Sequence, residues 1–214
     1  MLKIIDLFTQ IFQGKTIHRI LFNWQVRKYT ESISGMGVDL AGGYGSYKEY
    51  LPNSLSILRT DYVGDINTDA FVDLTQKLPF ANVSYDVVLL FNALYIFKER
   101  NSLVKEIHRI LKKEGTLFLS SPFIANEMPE PHDYVRLTRE GLDDLLKGVN
   151  FSDIKIYPYG ERFTSAVHLL HDFFIFNFIR SFVFPVAIFL DRLIPKRVRD
   201  RHPAPLGYFC VVKK

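Results

Sequence analysis

The chain has 214 residues, 48% hydrophobic and 23% charged, enough for one domain with a sizeable core. Its formal charge of +4 is mild, and no Lys/Arg block is interleaved with aromatics, so nucleic acid is not an expected partner. Cys210 is the single cysteine, which excludes an intrachain disulfide and suits a reducing, cytoplasmic setting.

Residues 2 to 30 read as one or two helices, because Leu2, Ile4, Ile5, Phe8, Ile11 and Phe12 recur at near-helical spacing. Asp6 interrupts this apolar set and no small-residue cleavage site follows, so a lid or docking helix is expected rather than a signal peptide. Short apolar runs then alternate with helical stretches. Strands are predicted at "GVDLAG", "SILRTDYV", "AFVDL", "YDVVLLFN", "TLFLSSPF", "FSDIKIYPY" and "YFCVVKK". Between them, "SYKEYL" opens a helix with Ser46 and Glu49 spaced as a capping box. A second helix is expected over 98–113, stopped by Gly115, and a third runs from a Thr138 cap to about Leu146. The pattern predicts an α/β fold with a doubly wound, mostly parallel seven-stranded sheet. Ligands on such sheets bind beyond the carboxyl ends of the strands, where the strand order switches.

The exit of the first strand, "VDLAGGYGSY", carries three glycines within four positions after Asp39. A phosphate loop needs Lys and Ser/Thr after the glycines, and Gly45 is followed by Ser46 and Tyr47. A dinucleotide fingerprint needs a third glycine where Lys48 stands. A tight turn with no ligand is the bland alternative. Asp61 ends the second strand, where its two oxygens can accept the two hydroxyls of a ribose. Asp73 ends the third, where an adenine amino group can donate to it. Isolated aspartates are commonly turn residues, yet here three stand at successive strand ends.

With these residues in view, "VDLAGGYG" resembles the first motif of class I S-adenosylmethionine-dependent methyltransferases. "LTQKLPFANVSYDVVLLFNALYIF", "LVKEIHRILKKEGTLFLSSPF" and "PHDYVRLTREGLDDLL" resemble, in order, further segments of the methyltransferase type 11 group. The resemblance covers roughly 36–157 and the last strand. It implies a Rossmann-like methyltransferase domain over 1–214. The N-terminal helices take 1–35, the cofactor-binding core 36–160, a hydrophobic and basic helical insertion 161–203, and the final strand 204–214. It implies S-adenosylmethionine as cofactor and an unidentified small-molecule or lipid-linked acceptor. Asp39 would hold the loop near the methionine end, with Ala41, Gly43 and Gly45 along the cofactor's path. Asp61 would take the ribose and Asp73 the adenine, with Leu74 beside it. Asn92 would face the amino-acid part or the acceptor. Two departures stand out. Ala41 replaces the first glycine, costly only if that position needs a positive φ. Glu114-Gly115 replaces a Gly-Gly pair, leaving the turn-forming glycine in place. The crossover "GDINTDA" is also compressed, which unsettles the alignment of Asp65 and Asp69.

Methyl transfer from a sulfonium is chiefly a matter of placing the nucleophile, with a base required only for a protonated acceptor. His132, with Asp133 beside it, is the candidate base. Tyr95, Tyr134 and Arg136 are candidates for the acceptor pocket, and His-Asp as a structural pair is the alternative. No metal cluster is convincing. The segment 163–202 contains "FFIFNFIRSFVFPVAIFL", broken by Arg180 and Pro185 and thus short of a transmembrane span. Two helices meeting near Pro185 are expected, forming a cap over the acceptor or a homodimer face. Arg192, Lys196, Arg197, Arg199 and Arg201 follow, opposed by Asp200, and make peripheral contact with an anionic membrane the rival reading. A degenerate binding module and a nucleotide-dependent oxidoreductase are the rival functions.

Overall fold

The computed structural model describes residues 2–43, 45–62 and 68–214. Seven strands form one sheet among these residues: β1 (Gly35–Asp39), β2 (Leu55–Asp61), β3 (Ala70–Phe71), β4 (Tyr85–Phe91), β5 (Leu111–Pro122), β6 (Ile154–Tyr159) and β7 (Gly207–Lys213). Their order is β3-β2-β1-β4-β5-β7-β6. β7 runs antiparallel to both neighbours and the other pairings are parallel. The mostly parallel, doubly wound sheet is therefore as expected, and β1 and β4 meet where the strand order reverses.

Burial on both faces explains why the central strand lacks polar alternation. Val88 and Leu90 of β4 join Val38, Leu117 and Leu119 under α3 (Arg100–Ile110) and α4 (Arg139–Lys147). Val87, Leu89 and Phe91 point the other way, into a core shared with α2 (Ile17–Thr30). Phe22 of α2 is fully buried there, its ring centroid 5.2 Å from Phe91, 5.8 Å from Tyr47 and 6.4 Å from Phe209. α1 (Leu2–Phe12), α5 (Arg162–Leu169) and α6 (Asn177–Leu193) complete this side, and α7 (Lys196–Arg201) leads into β7. Thr138 caps α4 as expected, accepting the Gly141 N–H at 3.1 Å.

Four local expectations are corrected. The helix after the glycine loop is a single 3₁₀ turn, Lys48–Tyr50. Glu49 does not return to close a capping box; its carboxylate takes Lys15 Nζ at 2.8 Å. Pro52 holds Leu51 in an extended conformation, which forbids a longer helix. The long helix ends at Ile110, not 113. In the turn that follows, Glu114 takes the positive φ of 63°. Gly115 is needed instead for close approach, since a Cβ there would lie 2.8 Å from the Lys112 carbonyl. Pro185 lies inside α6 rather than between two helices. The flanking Phe184 and Ala187 are buried and hold the helix through the missing amide. The break falls earlier, around a 3₁₀ turn at His171–Phe173, where Arg180 Nε donates to the Phe174 carbonyl at 2.5 Å. Asp65 lies outside the described residues. Asp69 accepts the Arg59 N–H at 2.8 Å.

Glu114→Gly should raise the unfolding free energy by about 0.5–1 kcal/mol by relieving the left-handed strain. Gly115→Ala should lower it. Urea denaturation of the two variants checks both signs.

Candidate functional site

The glycine stretch folds back on the end of β1. Leu40 N–H still reaches Leu89 of β4, and Gly42 N–H reaches the Thr60 carbonyl of β2, both at 3.0 Å. Gly43 and Gly45 then take φ of +46° and +59°, the left-handed region open to residues without a Cβ. Ala41 is not among the residues with positive φ, so its methyl group costs no backbone strain. The departure from a glycine at that position is conformationally harmless.

Tyr47 closes the loop. Its hydroxyl donates to Asp39 Oδ2 at 2.5 Å, and both side chains are buried. Asp39 Oδ1 is buried with no well-formed hydrogen bond among the described residues. Burial pushes the Asp39 pKa up to about 7, only partly opposed by the Tyr47 hydroxyl and the Ala41 N–H, while the Asp61 charge pushes it further. Burial and the adjacent Asp39 push the Tyr47 hydroxyl well above its ordinary value.

Asp61 stands across the loop. Gly43 N–H donates to its Oδ2 and Tyr62 N–H to its Oδ1, each at 2.7 Å. A carboxylate has about four acceptor positions, so these bonds leave room for two vicinal hydroxyls. Asn92 leaves β4 with φ +49°, its N–H on the Ser120 carbonyl at 3.0 Å and its Oδ1 receiving the Ser120 hydroxyl at 3.1 Å. Asp73 lies two residues past β3, not at its end. Its Oδ1 accepts the N–H and the hydroxyl of Thr75, at 2.8 and 2.7 Å. Leu74 is buried in the core under α3 and α4.

Ala41, Gly43, Gly45 and Asn92 line one cavity of about 530 Å³ at the β1–β4 switch point. Its remaining wall is the α1–α2 turn, Gln13 to Thr16, together with Arg19. Arg19 is a residue that sequence reasoning missed. Thr16 caps α2 by accepting the Arg19 N–H at 3.3 Å, which fixes where the first turn points. The guanidinium has no hydrogen bond or ion pair among the described residues and lies 5.6 Å from the Phe22 ring centroid. Burial lowers its pKa, while the Tyr47, Tyr159 and Tyr95 hydroxyls hold it up. A partly buried cation without a partner suits an anionic group entering the cavity. The signal in sequence was slight, a lone arginine one turn after a Thr cap.

The expected His132–Asp133 pair does not form. Asp133 gives both oxygens to Arg136 and accepts Met128 N–H at 2.9 Å. His132 is exposed, its ring 5.2 Å from that of Tyr134. Tyr95, Tyr134 and Arg136 do come together: Tyr134 N–H donates to the Tyr95 carbonyl at 2.9 Å, and the Arg136 guanidinium lies 5.0 Å from the Tyr95 ring. Arg136 Nε is buried without a partner.

A larger cleft of about 1100 Å³ opens along the β5–β7–β6 half of the same sheet edge. Tyr159 lines it and shares a 3.0 Å hydrogen bond with His18 Nε2, so the first turn of α2 stands beside both cavities. The cleft also carries Arg139, Arg192, Lys196, Arg199 and Arg201, none ion-paired among the described residues, together with the acids Glu140, Glu161, Asp191 and Asp200. Among those residues no three His, Cys, Asp or Glu side chains are placed to hold a metal ion.

Residues 38–119 match the methyltransferase domain family. These residues carry a methyltransferase domain, in line with the resemblance to the class I S-adenosylmethionine-dependent methyltransferases. Solved structures share the fold of this methyltransferase at low identity. A S-adenosylmethionine-dependent methyltransferase from Archaeoglobus fulgidus is 18% identical with a TM-score of 0.59, covering 97% of this chain and 98% of its own. Phosphoethanolamine N-methyltransferase 2 from Haemonchus contortus, in complex with S-adenosyl-L-methionine, is 15% identical with a TM-score of 0.59, covering 90% of this chain and 52% of its own. The 4+2 cyclase SpnF is 16% identical with a TM-score of 0.60, covering 90% and 79%. Because a cyclase shares the fold, fold likeness does not by itself specify the reaction, and the family match carries the assignment. No curated protein matches the chain. The cofactor of the methyltransferase is S-adenosylmethionine.

The pKa of Asp39 has a consequence for stability in the ligand-free methyltransferase. Its ordinary value is 3.8, and the folded value is about 7. As pH rises from about 4 towards 7 the unfolded chain loses this proton first, so folding loses stability across that window, on the order of a few kcal/mol. Asp39→Asn should flatten that fall, measured as unfolding free energy at several pH values between these limits.

Proposed function

We propose that the switch-point cavity holds S-adenosylmethionine with Arg19 on its carboxylate, and that the methyl group passes to a small-molecule or lipid-linked acceptor. Bound S-adenosylmethionine supplies a methyl group on a sulfonium, already activated for in-line displacement. The observation that carries the reading is the set of groups converging on one cavity: left-handed Gly43 and Gly45, and the Arg19 guanidinium, unpaired among the described residues. The glycines open the loop to close approach by the ligand. Arg19 matches the carboxylate in charge and planar geometry. Asp39, behind the loop, supports its shape through Tyr47. Asp61, bonded to Gly43, takes the ribose hydroxyls. Asp73 takes the adenine amino group through the carboxylate oxygen that Thr75 does not engage, and Leu74 supports that stretch from the core. Asn92 faces the amino-acid end.

The acceptor side of the proposal rests on position and charge. The larger cleft shares the sheet edge with the cofactor cavity, and its cations, which form no ion pair among the described residues, stand beside Glu140, Glu161, Asp191 and Asp200, which suits a polar acceptor carrying a charged group. Tyr95, Tyr134 and Arg136 form the rim at the exit of β4. His132, on the same loop, is the base if the accepting atom carries a proton. Of the two motives for the degenerate-module alternative, Ala41 and the compressed second crossover, the first falls away, because Ala41 sits without backbone strain.

Calorimetric titration tests the cofactor side. Arg19→Met should weaken S-adenosylhomocysteine binding by about tenfold to a hundredfold. It should leave 5′-methylthioadenosine, which lacks the amino-acid end, unaffected. Equal loss for both ligands, or no loss, would remove Arg19 from the carboxylate site. Asp61→Ala should weaken both. Once an acceptor is in hand, His132→Ala should lower kcat by about a hundredfold or more if His132 is the base, with S-adenosylhomocysteine affinity unchanged.

A further inference from the structure

α6 turns its apolar residues the wrong way for a helix that caps a pocket. Phe184 and Ala187 face inward, while Phe178, Phe182, Phe189 and Leu193 are 72%, 73%, 59% and 61% exposed. Their spacing of four, seven and four residues places them on one face of a helix about 25 Å long. The turn before α6 adds Phe173 and Ile175, 77% and 70% exposed. α1 packs against α6 and adds exposed Ile5 and Phe12. Monomeric soluble proteins rarely leave so much contiguous aromatic surface in water.

The charge around this face narrows what covers it. Immediately after Leu193 come Lys196, Arg197, Arg199 and Arg201, all exposed, with Arg192 one residue before. None forms an ion pair among the described residues, and Asp200 is the acid within α7. A second copy of this face would bring the same apolar stripe and the same excess of cations, with Asp172 and Asp200 too few to balance them. Anionic phospholipid offers both complements: acyl chains for the phenylalanines and phosphates for the guanidinium groups. No described helix is long and apolar enough to cross a membrane, which suits a helix lying in the interface plane.

We infer that the α1–α6 face docks on an anionic lipid bilayer, with α6 parallel to its surface and the α7 cations on the headgroups. This deepens the acceptor reading above, on which its metabolic meaning rests, by favouring a lipid-linked acceptor. Arg180 explains how docking would bear on the site. Its guanidinium donates to the Phe174 carbonyl in the turn before α6 and, at 3.4 Å, to the Gly14 carbonyl of the α1–α2 turn. Gly14 lines the cofactor cavity. The cavity therefore opens beside the docked face.

Flotation of the full chain tests this, with vesicles of phosphatidylcholine alone and of phosphatidylcholine mixed with phosphatidylglycerol. The chain should float with the mixed vesicles and much less with the neutral ones. Phe178→Ser/Phe182→Ser should cut flotation by about tenfold or more. Arg197→Gln/Arg199→Gln, or high salt, should cut it on mixed vesicles alone. Absence of flotation with either vesicle would overturn the inference. So would a dimer, seen by light scattering, that the Phe178→Ser/Phe182→Ser variant breaks and that vesicles leave intact. Because these residues are exposed, the variants should fold. S-adenosylhomocysteine titration of the same samples keeps a failure of docking distinct from a failure of the cofactor site.

Discussion

The hydrogen bond from Tyr47 to Asp39 is the constraint on which the site depends. It spans eight residues and joins the last residue of β1 to the far end of the glycine loop. In a buried place an unpaired carboxylate is costly, so the loop must bring the hydroxyl to it or leave the acid protonated. Doing so sends the backbone through two left-handed glycines and places Gly43 N–H on Asp61. The ends of β1 and β2 are thus tied to one loop. Tyr47 also packs its ring edge against Phe22 and Phe91, so the loop is anchored in the hydrophobic core.

α2 couples that core to the chemistry. Its inward face, centred on Phe22, packs on the strands, and that packing fixes the helix axis. With the axis fixed, the Thr16 cap decides where the first turn starts, and Arg19 is left beside the cavity with no partner among the described residues. The same turn sets His18 against Tyr159 and stacks it on His168, with ring centroids 5.1 Å apart. Burial and the neighbouring His168 hold the His18 pKa down to about 3. The positive charge of this turn therefore resides on Arg19 rather than on the histidine.

The insertion before β7 is organised differently on its two sides. Asp191 of α6 is buried and receives the N–H groups of Glu161 and Phe163 at 2.9 and 2.8 Å and the Thr164 hydroxyl at 2.6 Å, fastening α6 to the start of α5. These bonds cap α5 and satisfy donors that would otherwise be left unpaired at its first turn. The helix is thus held by a polar lock inward and presents phenylalanines outward. That inversion of the usual amphipathic arrangement is the feature on which the proposed membrane docking rests.

Much of this was legible from residue order. Apolar runs bounded by turn residues marked the strands, and the doubly apolar "YDVVLLF" marked the central one, because period and length are local properties. Asp39, Gly43, Gly45 and Asp61 stood out because a ligand loop needs glycine where the backbone turns left-handed and acids where donors arrive. Other features depended on partners distant in sequence. Glu49 turned to Lys15 rather than to its own helix, and Asp133 to Arg136 rather than to His132. Pro185 stayed inside a helix because Phe184 and Ala187 were buried around it. Arg19 lines the cavity only through the packing of α2. Which side of α6 faces water was likewise settled by the Asp191 lock. Sequence by itself determined the strands, the α/β alternation and the position of the glycine turn, since these follow from periodicity and backbone conformation. Only the tertiary structure decided which polar groups find partners within the protein and which remain free for a ligand or a surface, because that depends on geometry between segments far apart in the chain.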